Sequence, residues 1–217
     1  MRVLFFDTSC DFILVGLYTI NNSEIKEDYF YSGNHPREAS YRLLGDIETG
    51  MRAVNIDKPD VIICCKGPGS FTGIRITVAT ARNLSQIWKI PTLGIDTIEM
   101  YSAYYSEFYN SPVITAIDGK QKKIFVGFHD GENYKGTYDI LPSELQNLFN
   151  EELNSKNPIV ISDTNLLAHT YSLLSNLPNP SHLLKRKLSL IQNLTLPNNA
   201  YFALLPNYMR ETYAHKL

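Results

Sequence analysis

Hydrophobic positions change their period along the chain, and this change predicts a mixed α/β fold. Residues 2–6, Phe12–Tyr18 and Ile25–Tyr31 are short runs rich in branched and aromatic residues, separated by spacers that contain Asp, Asn and Ser. These runs predict three strands in a hairpin meander. From Arg37 to Val54 the apolar residues instead recur at helical spacing, which predicts a helix with one apolar stripe.

A continuous apolar run, Val61–Cys65, precedes a glycine-rich loop and a second helical pattern over Ile74–Trp88. A run of this kind is typical of a central strand that is buried on both faces. A short strand at Thr92–Ile95 and a third helix that ends near Tyr109 complete the first half of the predicted fold.

The pattern restarts after Ser111-Pro112, which predicts a boundary between a first lobe, 1–110, and a smaller second lobe, 111–217. The second lobe is predicted to hold four strands and one helix, at Val113–Ile117, Ile124–Phe128, Tyr134–Ile140, Ile159–Ile161 and Pro142–Leu153. Beyond Asn176 the chain is rich in Leu, Asn and Pro, and its weak periodicity assigns no elements there.

Composition bounds the function classes. The chain has 217 residues, of which 44% are hydrophobic, and a formal charge of −2. With so little net charge, we expect tight binding of nucleic acid to need a partner, because such binding depends on neutralising phosphates. No window approaches the roughly 18 apolar residues of a membrane span. Since Cys10, Cys64 and Cys65 have neither zinc nor disulfide spacing, we expect a soluble, cytoplasmic protein with reduced thiols.

Gly67, Gly69 and Gly73 lie between the predicted central strand and the second helix. Glycine permits positive φ and the close approach of another backbone or a ligand, and free amides at a helix start favour an anion. The spacing fits neither standard phosphate motif: Thr72 occupies the second-glycine position of the P-loop pattern, and the third glycine falls one residue late for the dinucleotide pattern. A structural turn and a ligand-facing loop both remain open.

As a whole string, Gly67-Pro-Gly-Ser-Phe-Thr-Gly-Ile-Arg75 resembles the signature of the TsaB (YeaZ-like) family, which is related to TsaD and to the actin-like ATPases. Four further segments match that family in the expected order, at Leu4–Ser9, Pro36–Glu38, Thr115–Val126 and Leu205–Arg210. The resemblance implies an α/β, actin-like (ribonuclease H-like) ATPase fold. Such a fold has two lobes of mixed β-sheet flanked by helices, and here the second lobe is complete or reduced.

The resemblance also implies a non-catalytic role in tRNA threonylcarbamoyladenosine synthesis. In this family TsaD transfers the threonylcarbamoyl group to N6 of the adenosine next to the anticodon, and TsaE, an ATPase, joins the assembly. We therefore expect TsaD and TsaE as partners, a second copy of the chain as a further partner, tRNA contact only through the complex, and no cofactor. The residues agree, since none of the five histidines forms the His-x-x-x-His metal pair of TsaD. No metal ligand and no catalytic residue is predicted.

On the strength of the resemblance, six residues are candidate remnants of a phosphate site: Asp7, Thr8, Gly67, Gly69, Ser70 and Gly73. In actin-fold ATPases, acids after the first strand of each lobe hold the metal and the phosphate, and Asp7 and Asp118 occupy those places here. The alternative hypothesis is accordingly an ATPase or phosphotransferase that uses both acids. A purely structural role for Asp7 also remains open, since an Asp at a strand end readily closes a turn.

Seven residues of the first two helices are candidate partner contacts: Leu43, Ile47, Met51, Gly73, Thr77, Val78 and Ala81. In the family these helices form a bundle with TsaD or with a second copy, although both stripes could instead cover the chain's own sheet. Two sets compete for the outward face of the second helix: Ile74, Val78 and Trp88, and Ile76, Thr80 and Ile87. Family members commonly have His at the position of Ala39, so local packing can differ where the first helix begins.

Overall fold

The computed structural model describes residues 1–164, 167, 171–172, 178–196 and 198–209. The strands are β1 (Arg2–Asp7), β2 (Phe12–Asn21), β3 (Glu24–Asn34), β4 (Val61–Cys65), β5 (Thr92–Ile95), β6 (Val113–Asp118), β7 (Ile124–His129), β8 (Tyr134–Ile140), β9 (Ile159–Ser162) and β10 (Tyr171–Ser172). The helices are α1 (Ala39–Ala53), α2 (Phe71–Trp88), α3 (Thr97–Tyr109), α4 (Leu145–Leu148), α5 (Asn150–Lys156), α6 (Ser181–Arg186) and α7 (Leu188–Gln192). Short 3-10 turns lie at Pro142–Glu144 and Tyr201–Ala203.

β1 and β4 occupy the middle of the first sheet, whose strand order is β3-β2-β1-β4-β5. β1 pairs antiparallel with β2 and parallel with β4, with Phe5 opposite Ile63. Both central strands are apolar at nearly every position because both faces of the sheet are covered. Side chains of α1 and α2 pack on one face, and side chains of α3 pack on the other. The predicted central strand is confirmed.

α3 is shared between the two halves of the chain. Its buried residues Ile98, Tyr101 and Tyr105 lie in one hydrophobic cluster with strands of the first sheet and with Val113 and Phe125 of the second. The second sheet has the order β10-β9-β6-β7-β8. Because apolar surface is removed from water on both sides of α3, the core continues past residue 110. The division into lobes 1–110 and 111–217 stays a prediction.

Both long helices of the first half begin elsewhere than predicted. α1 begins at Ala39 instead of Arg37, because Arg37 has a positive φ of 68°. α2 begins at Phe71, three residues before the predicted start, because the Ser70 side chain accepts a hydrogen bond from the Gly73 amide and caps the helix. The predicted boundaries come from the apolar period. The positive φ of Arg37 and the Ser70 cap set the actual helix starts.

The second half contains three elements that the sequence pattern does not assign, β10, α6 and α7, and one predicted helix is divided. The helix predicted for Pro142–Leu153 is instead a 3-10 turn followed by two short helices, which separate at Phe149. The Phe149 ring packs in the core, 5.8 Å from the ring centroid of Phe128. Over the described residues, no helix is both long enough and apolar enough to cross a membrane.

We expect Thr115→Val to stabilise the protein. The Thr115 side chain is buried in β6, and its hydroxyl has no hydrogen-bond partner among the described residues. An unpaired buried hydroxyl costs on the order of 1 kcal/mol, and valine keeps its shape without the polar atom. Urea unfolding should therefore show a higher midpoint. Thr77→Val is the matched control and should lower the midpoint, because the Thr77 hydroxyl is hydrogen-bonded to that of Thr8 at 2.7 Å. A lower midpoint for Thr115→Val would contradict this account.

Candidate functional site

The glycine loop between β4 and α2 packs directly onto the turn that follows β1. The Ser70 amide donates to the Ser9 carbonyl oxygen at 2.7 Å. A Cβ added to Gly69 would lie 2.4 Å from the Ser9 carbonyl oxygen, and one added to Gly73 would lie 1.9 Å from the Thr8 carbonyl oxygen. Because neither distance leaves room for a side chain, only glycine fits at both positions.

Thr8 closes the same contact from the β1 side. Its amide donates to Thr77 Oγ1 at 3.0 Å, and its hydroxyl donates to the Gly73 carbonyl oxygen at 2.9 Å. All three residues are buried. A cavity of about 220 Å³ stays open beside this contact at the start of α2, and its lining includes Thr8, Ser70, Gly73 and Arg37.

Asp7 is completely buried at the end of β1. Its Oδ1 accepts a hydrogen bond from the Ser9 amide at 2.8 Å, and its Oδ2 accepts from the Ser9 hydroxyl at 2.9 Å and the Tyr101 hydroxyl at 3.0 Å. Burial raises the pKa of Asp7 above its ordinary value, although the hydrogen bonds oppose that shift. The carboxyl group closes the turn and ties α3 to β1, and neither of its oxygens faces solvent.

Asp118 ends β6, the strand of the second sheet that corresponds to β1, and it is paired with Lys120. The amide and the ammonium of Lys120 donate to the two carboxylate oxygens at 2.7 and 2.6 Å. Burial acts to raise the pKa of Asp118, but the hydrogen bonds from Lys120 outweigh it and hold the pKa below its ordinary value. The Asp118 amide donates to Asp163 at 2.9 Å, and the pKa of Asp163 is raised to about 6, chiefly by burial. Both acids of the alternative hypothesis thus have partners inside the chain.

The structure brings the six predicted phosphate contacts to one place, the turn after β1 and the loop before α2. Gly67, the remaining member, has φ of 105°, and a Cβ on it would lie 2.4 Å from the Asn207 carbonyl oxygen. Ser70 is the most exposed of the six and serves as the cap of α2. Each of the six is packed against or bonded to the chain, and contact with a phosphate stays a prediction.

A cation–aromatic cluster at the start of α2 was missed by the sequence reasoning. The Arg75 guanidinium lies 3.8 Å from the Phe71 ring centroid and 5.7 Å from the Tyr208 ring centroid. Its Nε donates to the Tyr208 hydroxyl at 3.1 Å, which joins residues that are 133 positions apart. Arg75 ends the family-like string Gly67–Arg75, and Tyr208 belongs to the family-like string Leu205–Arg210. No local pattern in either string indicates that the two residues are in contact. Arg210, the last residue of the second string, lies outside the described residues.

The C-terminal segment, residues 199–208, runs along the free edge of β5. The Thr92 amide donates to the Asn199 carbonyl oxygen at 2.9 Å, and the Asn207 amide donates to the Lys66 carbonyl oxygen at 2.7 Å. The segment covers part of an otherwise unpaired sheet edge. It also holds the glycine loop on a second side, next to Gly67.

The predicted partner contacts on α1 and α2 all lie inside the chain. They are Leu43, Ile47, Met51, Gly73, Thr77, Val78 and Ala81, and all are buried. The five apolar side chains among them share a hydrophobic cluster with Leu4 and Phe6 of β1, because the sheet needs this cover to remove its own face from water. Thr77 is instead hydrogen-bonded to Thr8. In the chain by itself they are buried, and their contact with a partner stays a prediction.

Other residues of the same helices face solvent. Tyr41 and Leu44 of α1 are 71% and 59% exposed, and Ile87 of α2 is 72% exposed. Ile76 and Thr80 are half-buried, whereas Ile74 and Val78 are buried. Of the two sets that compete for the outward face of α2, the set Ile76, Thr80 and Ile87 is therefore the more exposed one. We call Tyr41, Leu44, Ile76, Thr80 and Ile87 the α1–α2 outer face.

Comparison with known proteins finds relatives whose names all refer to the threonylcarbamoyl modification of tRNA. The family model described as "TsaD: tRNA N6-adenosine threonylcarbamoyltransferase" matches residues 15–203. The chain is 30% identical to "tRNA threonylcarbamoyladenosine biosynthesis protein TsaB" of Buchnera aphidicola subsp. Schizaphis graminum, over 58% of this chain and 59% of that protein. It is 25% identical to "tRNA N6-adenosine threonylcarbamoyltransferase" of Persephonella marina, over 64% of this chain and 46% of that protein. The matched part spans only about half the length of these curated relatives.

A solved structure supports the fold. YeaZ from Pseudomonas aeruginosa superposes with a TM-score of 0.75 at 18% identity, covering 95% of this chain and 99% of that chain. At this identity the likeness is one of fold alone. Together with the two mixed sheets flanked by helices, it confirms the predicted actin-like α/β class.

Gly73→Ala should destabilise the protein by more than about 2 kcal/mol, because the added Cβ meets backbone that cannot move without opening the β1 turn. Gly45→Ala is the control, since an added Cβ at Gly45 in α1 meets nothing within 4 Å. That change should stabilise the helix by about 0.5–1 kcal/mol. The check is the difference between the urea midpoints of the two variants. Similar midpoints would mean that the glycine loop does not lie tightly on the turn.

Proposed function

The chain belongs to the TsaD family as a TsaB/YeaZ-type member, and we propose that it is a non-catalytic subunit of the machinery that forms threonylcarbamoyladenosine in tRNA. It binds TsaD, with TsaE as a further component. It supports the transfer by TsaD of the threonylcarbamoyl group to N6 of the adenosine next to the anticodon, and it meets tRNA only within this complex.

The observation that carries the non-catalytic role is that both candidate acids, Asp7 and Asp118, are engaged within the chain. The Gly73 backbone lies against the Thr8 carbonyl, Asp7 is enclosed by its own hydrogen bonds, and Asp118 is paired with Lys120. An ATPase of this fold needs both acids free to hold a cation and a phosphate. The geometry therefore favours the subunit role over the alternative, an ATPase or phosphotransferase that uses Asp7 and Asp118.

The α1–α2 outer face is the proposed contact with TsaD. Exposed large apolar side chains are a feature of interaction surfaces, and Tyr41, Leu44 and Ile87 each leave more than half of their surface in water. A second copy of the chain would use the same face in a homodimer. Since one surface cannot hold both partners at once, TsaD and the second copy compete.

Leu44→Arg and Ile87→Arg should each weaken co-purification with TsaD by at least about tenfold, because a charge is placed in an apolar contact. The same variants should fail to restore modified adenosine in tRNA when they replace the chromosomal copy. Leu190→Arg on α7 is the matched control, since Leu190 is 50% exposed but lies outside the outer face, and it should behave as wild type. Wild-type binding by both outer-face variants would remove the proposed contact, and normal tRNA modification without the chain would remove the proposed function.

A further inference from the structure

A row of cations follows α2 on the side next to the C-terminal segment. Arg75, Arg82 and Lys89 recur every seven residues. Because seven residues are nearly two turns of an α-helix, Arg75 and Arg82 lie on one face, and Lys89 follows at the C-cap. At a rise of about 1.5 Å per residue, the row is about 21 Å long.

No acid of the neighbouring chain segments balances this row. From Val61 to Ile95 the chain contains four cations, which are the three of the row and Lys66, and it contains no Asp or Glu. The C-terminal segment has no charged residue over 199–208, and its Tyr201–Ala203 turn packs against α2. The cations of the row form no ion pair with a described residue. The chain as a whole carries a charge of −2, so this side of α2 concentrates positive charge.

Exposed aromatic rings lie beside the cations. The Arg75 guanidinium lies over the exposed Phe71 ring and donates to the Tyr208 hydroxyl. These contacts hold the guanidinium without neutralising it, so its charge and its remaining donors stay available to an anion. Phe202 is exposed in the turn that packs against α2. We call six residues the α2 basic face: Phe71, Arg75, Arg82, Lys89, Phe202 and Tyr208.

Cations without acids, together with exposed rings, suit a nucleic acid. Arginine and lysine form charge-assisted hydrogen bonds with phosphates, and unpaired bases stack on aromatic rings and on guanidinium planes. An acidic protein surface would match the cations alone. The rings beside the cations therefore favour RNA as the occupant.

We propose that the α2 basic face binds tRNA, with its three cations at phosphates and with Phe71 and Phe202 against unpaired bases. The identity of the RNA rests on the proposed function. α2 then holds TsaD through Ile87 and its neighbours on the outer face, and it holds tRNA through the adjoining basic face. Because the net charge of the chain is small, the contact is weak in the chain alone and is strengthened when TsaD contributes contacts of its own.

Binding of a fluorescent tRNA anticodon stem-loop tests the proposal, measured by anisotropy with the full chain at low ionic strength and with its complex with TsaD. The double variant Arg82→Gln, Lys89→Gln should weaken binding by at least about tenfold, because two charge-assisted contacts are lost. Its plot of log affinity against log salt concentration should be less steep by about one unit for each cation removed. Phe202→Ala should weaken binding by about fivefold or more and leave that slope unchanged, because stacking is not an ionic contact.

Lys185→Gln is the matched control, since Lys185 is an exposed cation of α6 outside the basic face, and it should leave affinity and slope unchanged. The double variant should still co-purify with TsaD. A wild-type chain that does not bind TsaD would remove the proposed function, whereas tRNA binding by the chain alone would still support the basic face.

Wild-type tRNA affinity of the double variant, or equal weakening by Lys185→Gln, would overturn the proposal. A double variant that loses TsaD while the chain alone keeps its tRNA affinity would also overturn it, because the cations would then serve an acidic protein surface. Absence of tRNA binding by both the wild-type chain and its complex would have the same consequence.

Discussion

The close contact between the glycine loop and the turn after β1 is the constraint on which the rest of the structure depends. The Gly73 backbone meets the Thr8 carbonyl, and Ser70 is bonded to Ser9, so the start of α2 is fixed against the end of β1. Once that end is fixed, the apolar stripe of α2 must face the sheet. The same geometry decides which side chains of α2 remain outside.

This contact also explains how residues typical of a phosphate site come to have structural roles. A strand-end Asp, a Thr and three glycines are the types that an actin-fold ATPase uses, but their surroundings determine what they do. Asp7 is enclosed by Ser9 and Tyr101, and Asp118 is neutralised by Lys120. With those acids engaged, the α1–α2 outer face is the surface that we propose for a partner.

The sequence allows much of the fold to be predicted, because strands such as Val61–Cys65 are continuous apolar runs. The start of α3 is marked by the polar residues Asp96 and Thr97. Helix starts are predicted less well, since capping by Ser70 and the positive φ of Arg37 do not appear in the apolar period. The period of the α1 and α2 stripes is predicted correctly. Of the two directions left open, the structure shows the stripes covering the chain's own sheet, and their contact with a partner stays a prediction.

The remaining features are long-range and have no local signal. Arg75 and Tyr208 meet although they are 133 positions apart, and Thr92 of β5 is bonded to Asn199 of the C-terminal segment. A pattern within one helix or loop carries no information about either arrangement. They follow from the topology, which places the C-terminal segment along β5 and α6 beside α3.

The central claim is that the chain engages both of its candidate acids, Asp7 and Asp118, in its own hydrogen bonds and therefore does no phosphoryl chemistry. Calorimetric titration of the purified chain with magnesium-ATP tests this most directly, with Asp118→Asn as the comparison. The account predicts no stoichiometric binding by either protein. Stoichiometric binding by the wild-type chain that Asp118→Asn abolishes would contradict it.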